Sequence, residues 1–268
     1  MIQVYRKIRQ KLLAQNNFQK YVMYAIGEIF LVVVGILLAL QFNNWSIENV
    51  NKVKEKWYLI NMVEDIEYQR DVLKYMKEHY ENCIKTSESI LKSYKETKNF
   101  QNIDSLNEKL NLLMETDNFP NINNTYQELI SSGQQALIKN KELSVNIIDY
   151  YLYSEDNYID VKNNNDNVFY RELHPVFYDL AQIVMIDKEL YEDKDGLFET
   201  DSEIDIILIK KLEIDDTKMK FLNALKSLIL IYKLQLEMID DTIEMGRDLV
   251  QKIDDELGLT PDMVNQTE

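Results

Sequence analysis

Proline and glycine are scarce in this sequence, three and six residues respectively out of 268. Both interrupt regular backbone, so their scarcity argues against a turn-rich β architecture and for long helices. Cysteine is scarcer still: a lone Cys83 excludes an intrachain disulfide framework and any CxxC-type zinc or redox motif. An excess of positive charge is also missing. At a formal charge of −16 the chain lacks the clustered Lys and Arg that neutralise phosphates, so nucleic acid is not expected as a partner. No GxSxG, P-loop, GxGxxG or HExxH motif occurs. Carboxylate pairs such as Asp215–Asp216 and Asp240–Asp241 have the pattern of a solvated acidic face. The expectation is a non-enzyme without cofactor.

Two fragments approach a metal motif and fall short. His79 and Cys83 lie at i and i+4, a spacing that suits two ligands, but no second pair completes a site and His174 is the one other histidine. Packing is the better reading. "YEDKDGLFETDSE" resembles a calcium loop through Asp193, Asp195 and Gly196, yet Tyr191 holds its first position and Ser202 stands where a bidentate Glu belongs. No metal is expected.

One long apolar run is present. Tyr21–Phe42 is long enough for a helix to cross a hydrocarbon core of about 30 Å at about 1.5 Å per residue. "ALQFNNW" follows it with no A-x-A cleavage pattern, so the run reads as an uncleaved signal anchor. Tyr21 and Trp45 sit where membrane-interface aromatics are expected. Arg6, Lys7, Arg9, Lys11 and Lys20 precede the run, and the chain beyond it is acidic. That asymmetry predicts a cytoplasmic N-terminus and a periplasmic body at a bacterial inner membrane. The first twenty residues form either a basic amphipathic helix on the inner leaflet or an unstructured topology signal, and they are too few for an output domain.

Glu28 stands inside this run. Thirteen Leu, Ile, Val and Phe residues outweigh it for insertion, at roughly −0.3 to −0.6 kcal/mol each against roughly +3 for the acid. Insertion therefore tolerates the acid without explaining it. At about 100° per residue, Tyr24, Glu28, Gly35 and Ala39 share one face. Gly35-x3-Ala39 is a small-xxx-small pair that lets a second backbone approach. Packing against a partner helix leads, followed by simple tolerance near the headgroups, then proton or ion coupling.

The expected fold is all-α: one N-terminal transmembrane helix continuing into an elongated extracytoplasmic helical bundle. The boundaries read 1–20 cytoplasmic segment, 21–45 transmembrane helix and 46–268 periplasmic bundle. Leu59, Met62, Ile66, Gln69, Leu73, Met76, Tyr80, Cys83, Ser87 and Ile90 make a heptad seam with polar breaks at Gln69 and Ser87. A bundle and an oligomeric coiled coil both give this seam, and the other helices available favour the bundle. Asp104 or Ser105 is expected to cap the next helix, and Thr125 with Glu128 has capping-box spacing. "KNNNDNV" suggests a loop, followed by a helix around 174–190. "EIDIILIKKLEI" leaves strand and helix in competition. A last helix is expected over about 217–257, with Phe221, Leu225, Leu228, Tyr232, Ile239, Thr242, Gly246, Leu249 and Ile253 on its inner stripe and Gly258 and Pro261 as stops.

"KYVMYAIGEIFLVVVGILLALQFNNW" resembles the N-terminal signature of a bacterial family of single-span membrane proteins of unknown function, which reads close to KYxxYAxGEIxLVVxGILxALQxNNW. "TYQELISSGQQALIKNKEL" looks like its second block, with SSGQQ where the family reads SSGKL. The resemblance implies an inner-membrane protein with Gly27, Glu28, Gly35, Gln41, Asn43, Asn44 and Trp45 at motif positions, and it supplies no activity. The leading functional expectation is an assembly scaffold whose partners are the lipid bilayer and a second copy or another membrane protein. The alternatives are a subunit of a proton-motive-force-driven complex using Glu28, and a sensor binding an unknown small ligand.

Overall fold

The computed structural model describes residues 6–7, 18–184 and 196–259. The calcium-like Asp193 and Asp195, Pro261, most of the first twenty residues and the Tyr21 side chain lie outside the described residues. The protein is all-α, and no strand occurs among the described residues. Helix α1 spans Phe18–Thr97, α2 Leu106–Leu112 and α3 Asn124–Ser131. After a 3-10 turn at Gln135–Leu137 comes α4, Lys141–Asn164, which runs into a π-helical stretch, Asn165–Leu173, and then α5, His174–Tyr178. Helices α6, Ser202–Glu213, and α7, Asp215–Leu257, complete the chain. Two compact units result, residues 1–57 and residues 58–268.

In the first unit α1 presents its apolar side chains outward: Ile29, Phe30, Leu31, Leu37, Leu38 and Leu40 are all exposed. An eighteen-residue window of this helix has a mean hydropathy of 2.5 and none of it is buried. Among the described residues α1 is the one helix long and apolar enough to cross a membrane.

The second unit buries all ten residues of the α1 seam, Gln69 and Ser87 included. Every residue of the stripe expected on α7 is buried too, and Ala224 and Gln235 join it. The apolar residues gather in two clusters. One holds Tyr58, Leu59, Met62 and Ile66 of α1 with Ile147, Tyr150 and Tyr151 of α4 and Leu249 and Ile253 of α7. The larger holds Leu73 to Ile90 of α1 with Phe119, Val161, Phe169, Leu212, Phe221, Leu228 and Tyr232.

A polar layer separates them. The Gln69 amide donates to the Pro120 carbonyl at 2.7 Å and to Ser154 Oγ at 2.6 Å, while Tyr150 donates to Gln69 Oε1 at 2.9 Å. In the same layer Asn157 donates to Thr242 Oγ1 at 3.1 Å. The segment 115–120 enters the interior here, and its carbonyls need donors. Gly246 of α7 crosses at this level: a Cβ there would lie 3.2 Å from Ile66 Cγ2 and 3.3 Å from both Arg70 Cδ and Tyr150 Cε2.

Several local expectations are corrected. Ser105 precedes α2 in a left-handed conformation and makes no side-chain cap. Thr125 and Glu128 form no capping box; the Asp65 carboxylate of α1 accepts the Thr125 N–H at 2.9 Å instead. That anion also suits the positive end of α3. The Asn-rich stretch is helical, because its amides bond within the helix and to the entering segment. Asn164 donates to Asp160 O at 3.2 Å and Asn167 to Asn163 O at 3.0 Å. Asn165 donates to Asp117 O at 2.8 Å. "EIDIILIKKLEI" resolves to helix, with Asp201 accepting from Glu203 N at 2.8 Å at its start and Lys210 and Lys211 in its last turn. The helix expected around 174–190 is helical only over His174–Tyr178 within the described residues. Gly133, at φ 67, ends α3 as the left-handed residue of a Schellman motif, with Gln134 N–H bonding Leu129 O at 3.0 Å.

The two breaks in the α1 seam are expected to behave oppositely. Gln69→Leu strands the Pro120 carbonyl and the Ser154 and Tyr150 hydroxyls and should cost about 3 kcal/mol. The Ser87 hydroxyl is buried with no hydrogen-bond partner, so Ser87→Ala relieves its desolvation cost and should raise stability by up to about 1 kcal/mol. Urea unfolding of the full chain in detergent, followed by circular dichroism, measures both.

Candidate functional site

The face proposed from sequence lies within the first unit. Glu28, Gly35 and Ala39 are exposed on α1 and Tyr24 is partly covered. Met23, Tyr24, Gly27, Glu28, Leu31 and Val32 line a concavity of about 610 Å³. Spacing arithmetic overlooked Gly27 because it lies off the narrow stripe. The available signal was its place next to Glu28 in the sequence. A Cβ added at Gly27 or at Gly35 would meet nothing within 4 Å. Among the described residues no packing demands either glycine, although glycine in a helix interior costs about 1 kcal/mol relative to alanine. Trp45 is exposed, with its ring 5.8 Å from that of Phe42. The two mark the C-terminal edge of the apolar run.

The second unit holds one dense cluster of titratable groups, around the entering segment. Tyr80 and Tyr232 stack at 4.1 Å and donate to the carbonyls of Asp117 at 3.1 Å and Glu115 at 3.2 Å. Cys83 Sγ lies 3.5 Å from His79 Nε2. Burial first, then the charges of Asp117 and Glu115, push the Cys83 thiol up to about 12. A thiol held protonated is a poor nucleophile at neutral pH. Burial also raises the Asp117 carboxyl above its usual range, against the opposing pull of His79, and Asp117 Oδ2 is buried without a hydrogen-bond partner. Among the described residues no three His, Cys, Asp or Glu side chains are grouped to hold a metal ion. The cluster braces a loop.

A groove of about 900 Å³ opens between α5, α6 and α7, lined by Pro175, Val176, Leu180, Lys211, Ile214 and Ala224 among others. Its lysines are engaged: Lys211 donates to the Asp179 carbonyl, and Lys220 pairs with Asp216 at 2.7 Å.

The model of a family of unknown function, DUF6090, matches residues 28–213. The chain belongs to this family. The DUF6090 match opens at Glu28 and closes at the last residue of α6, so it takes in most of the apolar run and the body as far as α7. No curated protein and no solved structure matches the chain.

Two outcomes follow for the body cluster. In the native protein Cys83 should react with a disulfide reagent at pH 8 about a thousandfold more slowly than the same thiol in urea, read from thiolate release. A carboxyl raised on folding costs stability where it is ionised, so the cost is absent below its unfolded pKa of about 4 and complete above its folded value. Asp117→Asn should therefore raise Tm at pH 7 and leave it unchanged at pH 3, measured by thermal denaturation.

Proposed function

We propose that this chain is a non-enzymatic, single-span inner-membrane protein that serves as an assembly scaffold. In this reading the basic N-terminus is cytoplasmic, the helical body is periplasmic, and the α1 face at Tyr24, Glu28, Gly35 and Ala39 contacts another transmembrane helix. The observation that carries it is Glu28, a carboxyl on an exposed apolar helix surface, on one face with Gly35 and bordered by Gly27, neither of which packing among the described residues requires. In hydrocarbon an acid that faces lipid is costly, whereas one hydrogen-bonded to a neighbouring helix is not. Small residues on the same face let that neighbour come close.

The acidic body supports the orientation, because the Lys and Arg excess lies wholly before the span. Much of the body's buried amide chemistry is spent internally, although Gln235 keeps both carboxamide atoms buried without a hydrogen-bond partner. Gln69, Asn107, Asn111, Asn157 and Asn165 all spend their amides on internal partners. A docking surface needs no more chemistry than shape and charge. A proton-coupled role is the second reading, favoured by the position of Glu28 in the wall of a concavity, where a carboxyl can exchange protons.

The mass of full-length protein in nanodiscs separates these. Wild type is expected to form an oligomer that Glu28→Leu disperses and Glu28→Gln preserves, since an amide still hydrogen-bonds. Equal masses for wild type and Glu28→Leu would refute Glu28 as a contact between copies. If Glu28→Gln assembles normally and a proton flux across the membrane disappears, the proton-coupled reading replaces the scaffold.

A further inference from the structure

Helix α1 carries two apolar stripes at different heptad positions; one is buried, and the other is exposed among the described residues. In a heptad that sets Val50 at position a, the buried seam from Leu59 to Ile90 occupies positions c and f throughout. The other stripe occupies a and d. Beyond the end of the apolar run it reads Asn43, Ser46, Val50, Val53 and Trp57, and within the run it continues back through Ala39 and Ile36. After Ile60 the same positions turn charged at once: Glu64, Glu67, Asp71 and Lys74. The stripe therefore begins in the span and stops where the body starts.

These side chains are exposed. Val50 is 54 % and Val53 71 % accessible, and Ile47 on the seam's flank is 50 % accessible. Lipid does not reach them. At about 1.5 Å per residue Val53 lies about 16 Å along the helix beyond Phe42, and a tilt of about 20° shortens that to about 15 Å. The headgroup layer extends only about 5–8 Å past the hydrocarbon. Exposed valines at that height stand in water unless protein covers them.

We propose that residues 43–57 of α1 form the stem of a parallel, in-register homodimer, with a second copy of this chain as the occupant of the stripe; this rests on the membrane-anchored reading above. Two copies anchored through the same span meet parallel and at equal height, so each seam residue faces its own counterpart in a two-fold interface. A β-branched residue at a, such as Val50, suits two strands, and a single Asn at a, here Asn43, fixes register and number at some cost in stability. The flanking charges agree. Position g Asn49 faces e Lys54 of the other copy, and g Lys56 faces e Asn61, so no like charges oppose. From Val22 to Trp57 the contact runs about 50 Å, and two helices touching over that length bury on the order of 800 Å² each, the size of a standard stable interface.

Disulfide trapping in nanodiscs at low protein-to-lipid ratio tests the stem. Val53→Cys, on the seam, and Glu48→Cys, at f on the far side, are oxidised with copper–phenanthroline in air and read on a non-reducing gel. Cys83 stays in place, since it is buried. Covalent dimer at Val53→Cys at least about tenfold above that at Glu48→Cys, a gap of about 1.4 kcal/mol or more if read as an equilibrium preference, is the expected result. Equal or greater trapping at Glu48→Cys, or none at Val53→Cys, overturns the stem. If trapping fails while wild type still has an oligomeric mass, the stem alone is wrong and the span contact stands. A monomeric wild type removes both.

Discussion

The carboxamide of Gln69 sits where two apolar clusters meet, and it binds two separate parts of the chain through three partners: the Pro120 carbonyl, and Ser154 and Tyr150 of α4. A side chain that must reach three partners fixes how far α4 lies along α1 and where the segment before α3 enters. A purely apolar interface would tolerate sliding by a turn; a buried amide does not, because each displaced partner is left unsatisfied. Gly246 completes the constraint by letting α7 approach to within contact distance of Ile66, Arg70 and Tyr150. The stacked Tyr80 and Tyr232, the Asn165 amide and the Asp65 carboxylate then receive the entering segment and the helix that follows it.

The chemistry of the body is thus turned inward. Burial raises the thiol of its cysteine, the amides of Gln69, Asn107, Asn111, Asn157 and Asn165 are spent on internal partners, and the cluster that looks most reactive on paper holds backbone carbonyls. Toward the start of α1 an exposed apolar surface, a carboxyl and two glycines that no packing among the described residues requires coincide.

Periodicity made the long helices legible. The α1 seam is buried at all ten positions, and α7 begins at Asp215, two residues before its expected start. The Gln69 break carried information that periodicity alone cannot interpret, since the Pro120 carbonyl it serves is distant in sequence. Local signals fared worse. Ser105 and Thr125 had capping chemistry, yet α3 takes its cap from Asp65, sixty positions away along the chain. The asparagines of "KNNNDNV" favour turns in isolation, but Asn165 gains partners on the entering segment and its neighbours bond back along the helix. Tertiary partners outweighed propensity in both cases. The concavity beside Glu28 depended on Gly27, which a narrow angular stripe leaves out.

One residue closes a ring between distant parts of the body. The Gln182 backbone pairs with Asn107, its N–H donating to Oδ1 at 2.7 Å and its carbonyl accepting from Nδ2 at 3.0 Å. Its side chain bonds the Asp201 carbonyl at 2.9 Å, the Asp201 N–H at 2.8 Å and the Asp205 carboxylate at 2.8 Å. This one residue thus ties the segment after α5 both to α2 and to the N-terminal end of α6, so three elements far apart in the chain share a single hinge pin.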